Sequence, residues 1–132
     1  GLANIVTLLV LVLYGPKEAV FVLIVRILLG SMFGGQMISF FYSLSGGILC
    51  LLVMSLISAL LKKKFLVLIS MCGAAAHNIG QILAAIVITH SISVVAYLPV
   101  LMLSAMITGC FTGLAAHVCS KRLQKILKIY FE

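Results

Sequence analysis

The sequence predicts an all-α, polytopic transmembrane helix bundle. Three observations carry that reading. Hydrophobic residues make up 64% of the 132 residues and charged residues only 8%, with a mean hydropathy of +1.37. A soluble domain of this size has too little interior to hide so much apolar surface. The apolar residues fall into long runs, and the net charge of +7 gathers at the ends of those runs. Charge placed in this way sets membrane topology and does not form a nucleic-acid face. Five runs read as spans, and a basic amphipathic helix follows them.

The first run, residues 2–14, ends at Gly15 and Pro16 and carries one strongly polar residue, Asn4. It falls short of the roughly 20 residues a span needs, so part of it is expected upstream of Gly1. The second run, residues 19–29, holds Arg26 among Val, Ile and Leu. Residues 30–36 read as a Gly-rich connection, too apolar for an exposed loop and therefore re-entrant or buried against the bundle. The third run, residues 37–61, is long enough to cross with tilt and stops at Lys62, Lys63 and Lys64. The fourth, residues 65–90, carries His77, Asn78, Gly80 and Gln81 near its middle. The fifth, residues 94–119, contains Pro99 and the ladder Ala105, Gly109, Gly113. Small residues at that spacing form a helix-packing face.

These runs place residues 1–120 in a transmembrane bundle and residues 121–132 in a tail. In the tail, Leu123, Ile126, Leu127 and Tyr130 share one helical face, with Lys121, Arg122, Lys125 and Lys128 around the other. Such a helix suits an anionic membrane surface; a docking partner is the alternative. The positive-inside rule puts Lys62, Lys63, Lys64 and the tail in the cytoplasm, and the two spans between them agree. Counting back places Lys17 inside and Gly1 outside. A cytoplasmic start then needs one more span, giving six in the whole protein and five here. The opening is not a readable signal peptide, and the chain reads as part of a longer or processed protein.

Polar groups inside apolar runs are the candidate functional residues, because they are costly in lipid and face protein or a water-filled cavity. His77 and Gln81 are four apart and share a helical face. Arg26 has no carboxylate placed to meet it. It either receives an anionic ligand group, bidentately if carboxylate or phosphate, or snorkels to the interface. With the expected topology these groups gather in the outer half of the bundle. The candidate ligand-binding set is Arg26, His77, Asn78 and Gln81, with Asn4, Gln36 and Tyr42 near the outer ends of their runs as an entrance. The structural alternative has His77 and Gln81 bonding only to neighbouring helices.

Much chemistry is excluded. There is no Asp, and the only Glu residues are Glu18 and Glu132, so no carboxylate set holds Mg²⁺ and no Ser-His-Asp triad exists. No phosphate-binding Gly-Lys-Ser/Thr loop is present. Cys50, Cys72, Cys110 and Cys119 lie in or at the ends of apolar runs without Cys-x-x-Cys spacing, which reads as packing and not as metal or disulfide chemistry. No catalytic residue, metal or cofactor is assigned.

Several stretches occur in a characteristic order: Gly-Leu-Ala-Asn-Ile-Val (1–6), Arg-Ile-Leu-Leu-Gly-Ser (26–31), Tyr-Ser-Leu-Ser-Gly-Gly (42–47), Ala-His-Asn-Ile-Gly-Gln (76–81) and Leu-Pro (98–99). With them the chain, to about residue 120, resembles the Gx transporter family, often labelled heptaprenyl diphosphate synthase component I. That family is similar to the substrate-binding S components of energy-coupling factor transporters. The resemblance implies a six-helix bacterial membrane protein that takes a small ligand near its outer face and works with an ATPase-driven energising module. The label itself implies something else: a membrane accessory to a soluble, Asp-rich prenyl diphosphate synthase. A structural partner in an electron-transfer assembly is a third possibility. On the first view Gly34 and Gly35 form a gate.

Overall fold

The computed structural model describes residues 4–61 and 64–131, the last three by backbone alone. Residues 1–3, Lys62, Lys63, Glu132 and the side chain of Tyr130 lie outside the described residues. Within them the chain forms five α-helices: α1 Asn4–Leu13, α2 Pro16–Gly34, α3 Met37–Leu60, α4 Leu66–Thr89 and α5 Leu98–Phe131. A 3-10 helix, Ile92–Tyr97, leads into α5, and the described residues contain no strand. Three stretches are long and apolar enough to cross a membrane: Met37–Leu60, Leu66–Thr89 and Ile92–Lys128. α2 has 19 residues but carries Lys17, Glu18 and Arg26, and α1 is described over 10 residues.

Local chemistry sets the helix ends. Pro16 occupies the start of α2, where its missing N–H costs nothing. The Gly-rich stretch 30–36 is not a buried or re-entrant connection. Gly30 and Gly34 are helical, and α2 runs on until Gly35 turns left-handed at φ 64°, its N–H donating to the Ser31 carbonyl. Only Gly35 and Gln36 separate α2 from α3. The apolar Met32 and Phe33 keep the period of the helix going, and glycine takes the left-handed turn without strain. Residues 121–131 of the basic tail form the last turns of α5.

The helices form a ring. Each α-helix packs against the next in sequence, α1 closes the circle against α5, and α1 also touches α3 and α4. Leu8 and Leu11 of α1 are almost wholly buried, with Leu23, Ile27, Cys50, Met54 and Ile69 around them. Lipid tails are as apolar as these side chains, so packing, and not expulsion from water, must hold the helices together. Glycine supplies the closeness. A methyl group on Gly80 would lie 2.7 Å from the Ser45 carbonyl oxygen, and one on Gly113 would lie 2.5 Å from the Val67 Cα. The α3–α4 and α4–α5 backbones are thus in near contact. Two short hydrogen bonds tie the same joints: Ser45 Oγ donates to the Gly80 carbonyl at 2.7 Å, and Ser70 and Thr112 share a buried bond of 2.6 Å.

One end of the ring is basic. Pro16 shares a groove with Leu52 and Ser55, and Lys64 shares another with His117, so Lys17 and Lys64 sit at the end from which α5 leaves the bundle. Ser120 is the last residue of α5 that is buried among the described side chains. Beyond it Lys121, Arg122, Lys125 and Lys128 are exposed. Among the described cations only Arg26 lies away from this end.

These contacts predict opposite results for two glycine substitutions. Gly113→Ala forces a backbone shift and should destabilise the bundle by about 1–3 kcal/mol. Gly30 has open space around its Cβ position, so Gly30→Ala should be neutral or add up to about 1 kcal/mol of stability. Thermal unfolding of both variants in detergent checks the contrast.

Candidate functional site

Several of the interior polar groups lie at one level of the bundle. α1 and α2 form a hairpin about Gly15, and this brings Asn4 opposite Arg26. Asn4 is buried, and its Oδ1 accepts from Arg26 Nη1 at 3.4 Å. Arg26 is half-buried and makes further interactions. Leu23 and Ile27, on the same helix, meet Gly47 of α3. The neighbouring Gly46 meets α4: a methyl group there would lie 2.9 Å from the His77 carbonyl oxygen and 3.0 Å from both His77 Cε1 and Gln81 Cγ. The absence of a side chain at Gly46 is what lets the imidazole and the Gln81 stem lie against the α3 backbone. The result is a belt of Asn4, Arg26, His77 and Gln81 supplied by α1, α2 and α4, with Gly46 of α3 as its floor.

Two buried polar atoms have no hydrogen-bond partner among the described residues: His77 Nδ1 and Thr7 Oγ1. Thr7 lies one turn from Asn4 on the same face of α1 and is 1% exposed. Buried polar groups are nearly always paired, so an open ring nitrogen near a guanidinium is a place where a hydroxyl, carbonyl or anionic oxygen gains a contact. The belt offers donors and an ambivalent imidazole but no carboxylate. Such groups can hydrogen-bond a polar or anionic group and do not form an acid pair.

The remaining candidates lie elsewhere. Asn78 is turned away from the belt, and its Nδ2 donates to the Leu101 carbonyl at 2.6 Å, joining α4 to the first turn of α5. Gln36 is exposed at the α2–α3 turn, where Ser39 Oγ donates to its Oε1 at 3.5 Å. Tyr42 is half-buried, about one turn before Gly46 on α3. Gly34 and Gly35 form a tight turn. Ala105, Gly109 and Gly113 are buried on α5, and the two glycines lie against Met71 and Val67 of α4. Sequence reasoning missed Thr7 and the Asn4–Arg26 pair. The pair had a readable signal, since Asn4 and Arg26 stand equally far on either side of Gly15, the turn of an antiparallel hairpin.

The family model for heptaprenyl diphosphate synthase component I matches residues 1–119. The chain belongs to the heptaprenyl diphosphate synthase component I family. No curated protein and no solved structure matches it. The family match ends near Ser120, where α5 leaves the bundle, so the basic extension of α5 lies beyond the matched residues.

The geometry separates two kinds of polar residue, and stability should report both. Asn78→Ala removes an interhelical bond and should cost about 1 kcal/mol, the usual scale within membranes. Asn4→Ala takes an acceptor from a half-buried guanidinium and should cost about 1–3 kcal/mol. Thermal unfolding in one detergent orders the two variants; the reverse order would show that Arg26 does not depend on Asn4.

Proposed function

We propose that the protein is a bacterial membrane component that captures a small ligand inside its helix ring, in the manner of the substrate-binding S components it resembles. Arg26 would receive an anionic group, while His77, Gln81 and Thr7 would meet polar atoms of the ligand. The observation that carries this reading is the unpartnered His77 Nδ1, buried in the same layer as Arg26 and Asn4. The basic end of the ring would face the cytoplasm by the positive-inside rule. The belt, midway along α2, would then lie well inside the membrane. Asn78 would act by holding α4 on α5, and Gln36 and Tyr42 would lie toward the outer end. Movement of the ligand across the membrane would need an ATPase-driven partner.

A second reading is favoured by the family match. The protein would be the membrane subunit of a two-part system for isoprenoid diphosphate synthesis. It has no Asp and cannot hold Mg²⁺-diphosphate for catalysis itself, so the acidic catalytic subunit would be a soluble partner. The exposed cations of the α5 extension would be its landing place.

Native mass spectrometry of the gently purified whole protein separates the readings. The first expects a stoichiometric small molecule that is lost in Arg26→Leu and weakened at least about tenfold in His77→Ala, with both variants still folded. The second expects a co-purifying soluble synthase, lost when Lys121, Arg122, Lys125 and Lys128 are changed to Gln. Unchanged ligand occupancy in Arg26→Leu would reject the interior site.

A further inference from the structure

A groove of about 460 Å³ lies between the start of α4 and the last buried turns of α5. It runs beside the joint where Gly113 of α5 meets Val67 of α4. Its wall is apolar, built from Phe65, Leu68, Met71 and Leu114. Phe65, Leu68 and Leu114 are exposed, so the trough opens along the lipid-facing side of the bundle. Its mouth carries one ammonium and one imidazole, Lys64 before α4 and His117 on α5, and no acidic residue. Lys64 stands two residues ahead of Leu66, where α4 begins, so the mouth lies where the chain enters this span. Among the described residues no side chain caps that start, which falls at Phe65. The partial positive charge of the helix end therefore adds to the charge of Lys64.

We propose that this groove is a binding site for an anionic glycerophospholipid, with one acyl chain along Leu68, Met71 and Leu114 and the phosphodiester between Lys64 and His117. The site is apart from the Arg26 belt and holds under either reading of function above. The charge count selects the head. One lysine balances the single charge of a phosphodiester, and the imidazole supplies one more hydrogen bond. A zwitterionic head would bring an ammonium to the same mouth, where no carboxylate meets it. Position agrees, because basic pockets between spans at the cytoplasmic boundary are where acidic headgroups lie. The trough selects a molecule with a chain over a free phosphate. In lipid its gain is close packing of that chain against the wall, not escape from water. A lipid held there touches α4 and α5 at once. It staples their joint from the outside, at the turns after which α5 leaves the bundle.

The test is native mass spectrometry of the whole protein in detergent, titrated with phosphatidylglycerol or with phosphatidylcholine of the same acyl chains. The expected result is one phosphatidylglycerol retained about tenfold more tightly than phosphatidylcholine. That preference should vanish when Lys64 and His117 are both changed to Gln. Leu68→Trp, which fills the trough from its exposed side, should weaken retention of phosphatidylglycerol as well. Lys17→Gln lies at the same end but against α2, and should keep the preference. Equal loss in Lys17→Gln would reduce the effect to general surface charge and overturn the proposal. So would equal retention of the two lipids by the unaltered protein. Displacement by excess glycerol phosphate would also overturn it, since the head alone would then suffice and the trough would have no role. Arg26→Leu should leave the preference unchanged, so the groove and the interior belt stand or fall separately.

Discussion

Backbone-to-backbone contact at glycine is the constraint on which the rest of this bundle depends. In lipid, apolar side chains gain little by leaving one another's surroundings, so helix association relies on close packing and a few hydrogen bonds. Gly80 against Ser45 and Gly46, and Gly109 and Gly113 against Met71 and Val67, bring α3, α4 and α5 nearer than any side chain would permit. That closeness fixes the antiparallel register of the three helices. Ser45 with Gly80 and Ser70 with Thr112 then add one short hydrogen bond at each joint. α1 and α2 have fewer such contacts and enter the ring mainly through Leu8, Leu11, Leu23 and Ile27.

Register is also what creates the polar belt. Because α3 meets α4 at Gly46, His77 and Gln81 are held on the inside; because α2 meets α3 at Gly47, Arg26 stands near the same level. A charged side chain in an apolar span is expensive unless it is hydrogen-bonded or hydrated, and the ring lowers that cost by placing Asn4 against it. The belt is not fully satisfied, however. His77 Nδ1 and Thr7 Oγ1 keep unused capacity in a buried position. A purely structural network gains nothing from such atoms, since each open group forfeits a bond it had in water.

The sequence made much of this legible, for reasons that can be stated residue by residue. Helices were readable because the apolar runs are long and the solvent is lipid, where a helix satisfies its own backbone. His77 and Gln81 shared a face by spacing alone. The Gly-rich stretch 30–36 reads as a connection by composition, whereas Gly30 and Gly34 are inside α2 and Gly35 alone of the three takes the left-handed turn. Arg26 departs in another way. By sequence its expected partner is a carboxylate, whereas the structure supplies a neutral amide from the adjacent hairpin arm. Asn78 belonged by sequence to the polar triplet, yet its position beside His77 on the helix turns it toward α5. Adjacent residues on a helix point about 100° apart, so a polar triplet serves more than one neighbour.

The described charges are distributed unevenly along the bundle, with Arg26 inside and the other cations at one end. Diphosphate chemistry of the synthase type requires carboxylates to hold divalent metal, and this sequence carries no Asp and two Glu, Glu18 and Glu132. It does provide cations at one end, and it provides them on a helix that continues without a break from the α4–α5 joint into the extension. α5 spans 34 residues, about 50 Å at the usual rise, against a hydrocarbon thickness of about 30 Å. Its only proline, Pro99, is in the first turn, so nothing in the sequence beyond it forces a kink. Whatever meets Lys121 and Lys125 therefore meets the same helix that carries the Leu101 carbonyl bonded to Asn78, next to His77. The interior belt draws on α1, α2 and α4 and the cationic extension on α5, and the geometry does not require a choice between binding inside the ring and docking below it.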